Sequence, residues 1–206
     1  MIHETFVAIL LAIPLSTLVA QSIRYWSEFR SNQSSVRKAD YRKPYFYLLV
    51  FGVLCMWLAW LGAIVLSLLH ACHSVFDFLT FSSQSALSIQ IVGFIVFYLG
   101  AATYNLTLLV AGKHLRPAPS GMHEDHKLVT KGPFRLIRHP LYVSYILIVA
   151  GLSLILLSYW LLIPALCVIV GIYPTAKAEE KALTEQFGEE YVEYKQRVSM
   201  FVPKLF

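Results

Sequence analysis

Residues 141–173 read LYVSYILIVAGLSLILLSYWLLIPALCVIVGIY, a long apolar run. A helix needs about 20 apolar residues to cross the hydrocarbon core of a bilayer, so this run is too long for one crossing. Its middle, LSYWL at 157–161, sets the small polar Ser158 beside Tyr159 and Trp160, whose side chains settle at the lipid–water boundary. The run therefore predicts a hairpin of two shorter spans joined by a tight turn. Upstream, residues 5–23, 45–69 and 87–112 each supply one further span. The expected fold is an all-α integral membrane protein with about five transmembrane helices. Composition requires the same class, because 57% hydrophobic and 14% charged residues, with a mean hydropathy of +0.61, cannot clothe a water-soluble globule. At 206 residues the chain divides into 1–112, three spans with a polar loop at 24–44, and 113–206, the hairpin and the polar segments around it. Little is left for a separate soluble domain, so any site must share residues with the helices.

Charge sets the expected orientation. All 17 Lys and Arg fall in 24–44, 113–138 and 177–204, while the N-terminus, 70–86 and the turn near 158 carry none. By the positive-inside rule those three segments are cytoplasmic, with the N-terminus outside and the C-terminus inside. The net charge of +5 then reflects topology and anionic headgroups, and no nucleic-acid partner is needed to explain it. The first run has its basic residue, Arg24, behind the apolar stretch, unlike a cleaved signal peptide. Cys55, Cys72 and Cys167 are far apart and form no metal-ligand spacing, so they read as small core residues, with no metal expected. Asn105, the main polar residue within a span, is expected to hydrogen-bond a neighbouring helix.

Directly before the hairpin stands GPFRLIRHPLYVSY (132–145), with Arg135, Arg138 and His139 beside two prolines. The residue before a proline is pushed out of the helical region, so His139 should be extended and Pro140 should open the fourth helix. The first amides there, on Leu141, Tyr142 and Val143, are expected to be unpaired and to carry the positive end of the helix dipole, a setting for a carboxylate or phosphate. After the hairpin, AEEKALTEQFGEEYVEYKQRV (178–198) places Leu183, Phe187, Tyr191, Tyr194 and Val198 at helical spacing. That predicts an amphipathic cytoplasmic helix leaving the last span after Pro174 and Thr175, with Gly188 its weak point. Glu180 shares its apolar face and Glu179 borders it, and a carboxylate on a buried face needs a cation. Glu185, Glu189 and Glu193 read as solvated, with Glu193 and Arg197 ordered for a helical pair.

Together HKLVTKGPFRLIRHPLY (126–142) and EEKALTEQFGEEYVEYKQRV (179–198) resemble the cofactor region of the isoprenylcysteine carboxyl methyltransferases and the related membrane phospholipid methyltransferases. The resemblance covers roughly residues 113–204. It implies S-adenosylmethionine bound on the cytoplasmic side at the matching positions His126, Leu128, Val129, Phe134, His139, Pro140, Tyr142 and Glu179 or Glu180, with Arg138, His139 and Tyr142 at the reacting centre. Two positions depart from the pattern. Ser144 stands where the family usually has Gly, and Thr175 stands where the eukaryotic enzymes carry an Arg linked to substrate. Arg138, Lys113 or Lys177 could replace that Arg beside Thr175.

The residues match such a cofactor group by group: a helix start with His139 for its carboxylate, the glutamate pair for its ammonium, and Phe134 and Tyr142 for its adenosine. The implied acceptor is a lipid-tailed molecule entering from the bilayer, most simply the α-carboxylate of an isoprenylated cysteine. An aminophospholipid is the alternative within the same class. A transporter or scaffold, the alternative outside it, would show facing polar residues in mid-membrane, and few occur.

Overall fold

The computed structural model describes residues 4–31, 44–69, 85–112, 127–159 and 161–204. Six helices account for most of them: α1 (Glu4–Ser31), α2 (Pro44–Leu68), α3 (Ala86–Ala111), α4 (Pro140–Ile155), α5 (Leu162–Phe187) and α6 (Glu189–Arg197). A 3-10 turn at Gly132–Arg135 precedes α4. Among the described residues there is no strand; Ile137 and Ser199 form an isolated parallel bridge. Pro44–Leu66, α3 and α5 are long and apolar enough to cross a membrane, and Val7–Thr17 and α4 are shorter apolar helices. The chain is thus an all-α, multi-pass integral membrane protein. At 16 residues α4 extends about 24 Å, short of the roughly 30 Å core. The turn between α4 and α5 falls where LSYWL predicts it.

Two boundaries differ from expectation. α1 runs past Arg24 to Ser31, so the start of the basic segment is helical. α5 passes straight through Pro174 to Phe187, so the polar C-terminal part continues the last span without a joint. Proline removes only the bond to the Val170 carbonyl, and Thr175 Oγ1 donates back to the Gly171 carbonyl at 2.6 Å beside it. The break comes at Gly188, where φ is +54°, a value glycine adopts without strain. The single helix expected over 178–198 is therefore two, with α6 re-aimed. On the polar side of α5, Lys181 Nζ pairs with Glu185 Oε1 at 3.9 Å, one turn apart.

Hydrophobicity does not drive helices together inside lipid, where tails are as apolar as leucine, so close backbone approach has to do so. α4 packs chiefly on α3 and α5 on α2, more than the two hairpin helices pack on each other. At the first contact a Cβ on Gly151 would lie 2.5 Å from the Phe97 nitrogen, and one on Gly100 would lie 2.8 Å from that of Ile148. At the second, a Cβ on Gly171 would lie 2.7 Å from that of Leu49. Between them Met56, Trp60, Phe97, Ile148 and Leu152 form a buried core, with Trp60 and Phe97 edge to face at 4.8 Å. Pro14 deprives the Leu10 carbonyl of its helical donor, and Tyr98 Oη supplies one at 2.7 Å. Trp60 Nε1 donates to the Leu11 carbonyl at 3.1 Å and Gln90 Nε2 to that of Ile155 at 2.9 Å, so these buried donors meet acceptors as a bilayer demands. Asn105 Nδ2 reaches Thr17 Oγ1 on α1 at 3.4 Å, and bonds its own helix at Ala101. Of the cysteines, Cys55 and Cys167 are half-buried free thiols, and Cys72 lies outside the described residues.

Candidate active site

The loop into α4 is fixed before the helix begins. Gly132, at φ +57°, lets the chain turn against Val110 of α3, and Pro133 starts the 3-10 turn that buries Phe134. His139 has φ −122° and ψ 61°, outside the helical region, and Pro140 occupies the first helical position as its chemistry predicts. One expectation is corrected: the Val143 amide is bonded to the His139 carbonyl at 3.3 Å, because the residue before the helix already accepts the first intrahelical bond.

α5 then delivers two adjacent glutamates with different fates. Glu180, its side chain 4% exposed, has cationic partners on both oxygens. Its Oε1 accepts from Arg138 Nε at 2.7 Å and pairs with Arg138 Nη2 at 2.6 Å, with His139 Nε2 at 3.3 Å from the same oxygen. Its Oε2 pairs with Lys195 Nζ of α6 at 3.4 Å. Glu179, one position earlier and 20% exposed, accepts from Tyr142 Oη at 2.6 Å through Oε1. Among the described residues its Oε2 meets only His139 Nδ1, at 3.6 Å, so one carboxylate edge keeps capacity for another donor. His139 therefore faces a carboxylate with each ring nitrogen, and its ring stacks on Tyr142 at 5.6 Å and 16°.

Two tyrosines of α6 close the floor. Tyr194 Oη donates to the Phe134 carbonyl at 2.6 Å. Burial, with Glu180 adding to it and Arg138 opposing it, pushes its phenol up to about 12, so it stays a donor. Tyr191 is 1% exposed, its ring 5.9 Å under Lys195 Nζ, and its hydroxyl has no partner among the described residues. Burial first and the charge of Glu180 second raise its phenol as well.

The structure thus gathers Arg138, His139, Tyr142, Glu179 and Glu180, with Phe134 and Pro140 buried beside them. Leu128 and Val129 lie half-buried in the irregular approach to the 3-10 turn. Thr175 is fully buried and bonded within its own helix, away from any role as a charged anchor. Lys177 is exposed, its Nζ 5.6 Å over the Tyr173 ring. Ser144, at the family's usual glycine, turns its hydroxyl to the Leu141 carbonyl at 2.6 Å. His126 and Lys113 lie outside the described residues. Sequence reasoning missed Lys195 as a partner of Glu180 and the segment after α6. The Arg138 amide donates to the Ser199 carbonyl at 2.8 Å and that of His139 to Met200 at 3.1 Å.

Comparison with known proteins places this architecture. The family model described as phospholipid methyltransferase matches residues 88–190, half of the chain. The chain belongs to this family. A protein-S-isoprenylcysteine O-methyltransferase B of Arabidopsis thaliana is 32% identical over 117 residues, covering 50% of this chain and 59% of its own. A methanethiol S-methyltransferase 1 of Bradyrhizobium diazoefficiens is 36% identical over 70 residues, 34% of this chain and 24% of its own. The solved structure of a eukaryotic intramembrane Ras methyltransferase, isoprenylcysteine carboxyl methyltransferase, shares the fold with a TM-score of 0.58 at 19% identity, over 94% of this chain and 66% of that one. The chain accordingly spans about three fifths of the Arabidopsis relative. The family match runs from α3 to the start of α6; it includes Arg138, His139, Tyr142 and both glutamates, and stops short of Tyr191, Lys195 and residues 198–201.

Proposed function

We propose that this protein is an S-adenosylmethionine-dependent membrane methyltransferase whose acceptor is the α-carboxylate of an isoprenylated cysteine or a similar lipid-tailed molecule. The observation that carries the reading is Glu179, a half-buried carboxylate with one edge open, set against His139 and Tyr142 at the start of α4. The donor set fits the cofactor. Glu179 suits its ammonium, the positive end of α4 suits its carboxylate, and Phe134 with Leu128 and Val129 offers apolar cover for adenosine. The Tyr191 hydroxyl, buried and without a partner among the described residues, lies in the same charged neighbourhood. When bound, the cofactor supplies an electrophilic methyl group on a sulfonium.

The chain's own residues position and neutralise. Glu180 is fully engaged and holds Arg138 and His139 in place, so Arg138 acts as a positioning residue. An α-carboxyl group with a pKa of about 3.5 is ionised at neutral pH, so the acceptor requires alignment, exclusion of water and a cation, without a general base. Thr175 cannot supply that cation, which leaves exposed Lys177, two residues before Glu179 on α5, or Lys113. The site lies at the end of the bundle that carries the basic segments, hence on the cytoplasmic side, with the N-terminus outside. An amine acceptor is the second reading, favoured by the family's name and by the Glu179–His139 pair, which could take the proton an ammonium must lose.

Purified protein with methyl-labelled S-adenosylmethionine should label farnesylcysteine and leave phosphatidylethanolamine unlabelled. The reverse result would replace the acceptor and keep the class. Labelling of neither would remove the reading.

A further inference from the structure

A pre-proline residue has no regular structure of its own to hold it, yet both Arg138 and His139 are fixed here from the far end of the chain. Their amides donate to the Ser199 and Met200 carbonyls at 2.8 and 3.1 Å, and Ile137 bridges Ser199 in parallel register. The Arg138 side chain returns the contact: Nη1 donates to the Val198 carbonyl and to that of Lys195 at 3.3 Å. Met200 and Phe201 pack against the cluster of Leu49, Tyr142, Val168 and Ile172, and the Phe201 ring lies 5.8 Å from that of His139. Arg138 is thus a rivet that joins Glu180 of α5 to the chain beyond α6, which the family match does not reach.

We propose that residues 198–201 form a strap that positions His139 and Glu179 for the methyl donor, with Phe201 as its anchor. This rests on the methyl-donor reading of the site. Without the strap the amides of Arg138 and His139 lose their acceptors, the imidazole loses one aromatic wall, and the Glu179 edge loses its fixed neighbour. The strap touches no reacting atom, so its loss should appear in donor affinity while the chemical step is spared.

The test compares three full-length variants in detergent, Phe201→Ala, Phe201→Leu and Arg138→Lys, with a chain ended after Arg197. Calorimetry with S-adenosylhomocysteine and amide exchange at Arg138 and His139 are the readouts. Phe201→Ala should weaken binding about tenfold and speed exchange at both amides, with its unfolding midpoint near that of the parent, and Phe201→Leu should restore both. Arg138→Lys, which keeps the charge and loses both the fork onto Glu180 and the Nη1 bonds to the Lys195 and Val198 carbonyls, should weaken binding more, and the shortened chain by about a hundredfold. In turnover, Phe201→Ala should raise KM for the donor and leave kcat. Unchanged binding and exchange in Phe201→Ala would overturn the strap, as would losses that track a fallen midpoint and are not restored by leucine. If the shortened chain does not fold, the point variants decide. If the intact protein binds no S-adenosylhomocysteine, the methyl-donor reading fails, while amide exchange still reports whether Phe201 fixes the loop.

Discussion

Two helix pairs in the bundle meet backbone to backbone through Gly93, Gly100 and Gly151 on one side and Gly52 and Gly171 on the other, with no charge among them. At the end of the bundle where α4 begins, the approach to α4 and the polar part of α5 meet through Arg138, His139, Glu179 and Glu180, with Lys195 joining from α6. The bundle depends on the absence of side chains, because lipid offers its helices no hydrophobic reason to associate. The cluster depends on every side chain having its partner, because a buried charge left alone is costly. Errors should therefore scale with added volume in the first region and with a lost partner in the second.

The largest effect is expected at the cluster. Glu180→Ala leaves Arg138 and Lys195 without their shared carboxylate and should cost about 3–5 kcal/mol of stability, visible as a lower unfolding midpoint in detergent. A small cost there would mean that the cations find water instead, and the contrast between the regions would weaken. Next, Gly151→Val forces atoms into the Phe97 backbone and should cost about 1–3 kcal/mol, while Gly62→Val, where an added Cβ meets nothing within 4 Å, should cost little. Equal costs at the two glycines would remove close approach as the cause. The smallest effect belongs to Tyr98→Phe, which strips the donor from the Leu10 carbonyl freed by Pro14 and should cost about 0.6 kcal/mol.

The cluster was partly legible from sequence. Pro140 as helix start, the turn within LSYWL and Glu180 on the apolar face all follow from local chemistry and helical period, and all three hold. Pro174 misled, because proline loses only one bond inside a helix that packing already fixes. The glycine contacts were invisible for another reason: composition shows small residues but not which backbone they will face. The strap had no local signal at all. Its bonds join residues about 60 positions apart, and the carbonyls of Val198, Ser199 and Met200 would accept in the same way whatever their side chains.

Adjacent glutamates carry opposite duties under the proposed function, Glu179 for the ligand and Glu180 for the protein. Calorimetry with S-adenosylhomocysteine on Glu179→Gln and Glu180→Gln, each paired with an unfolding midpoint, tests this most directly. Glu179→Gln should keep the parent midpoint and lose binding by about a hundredfold, whereas Glu180→Gln should lower the midpoint first. Full binding by Glu179→Gln, or a midpoint lowered by Glu179→Gln and untouched by Glu180→Gln, would contradict it.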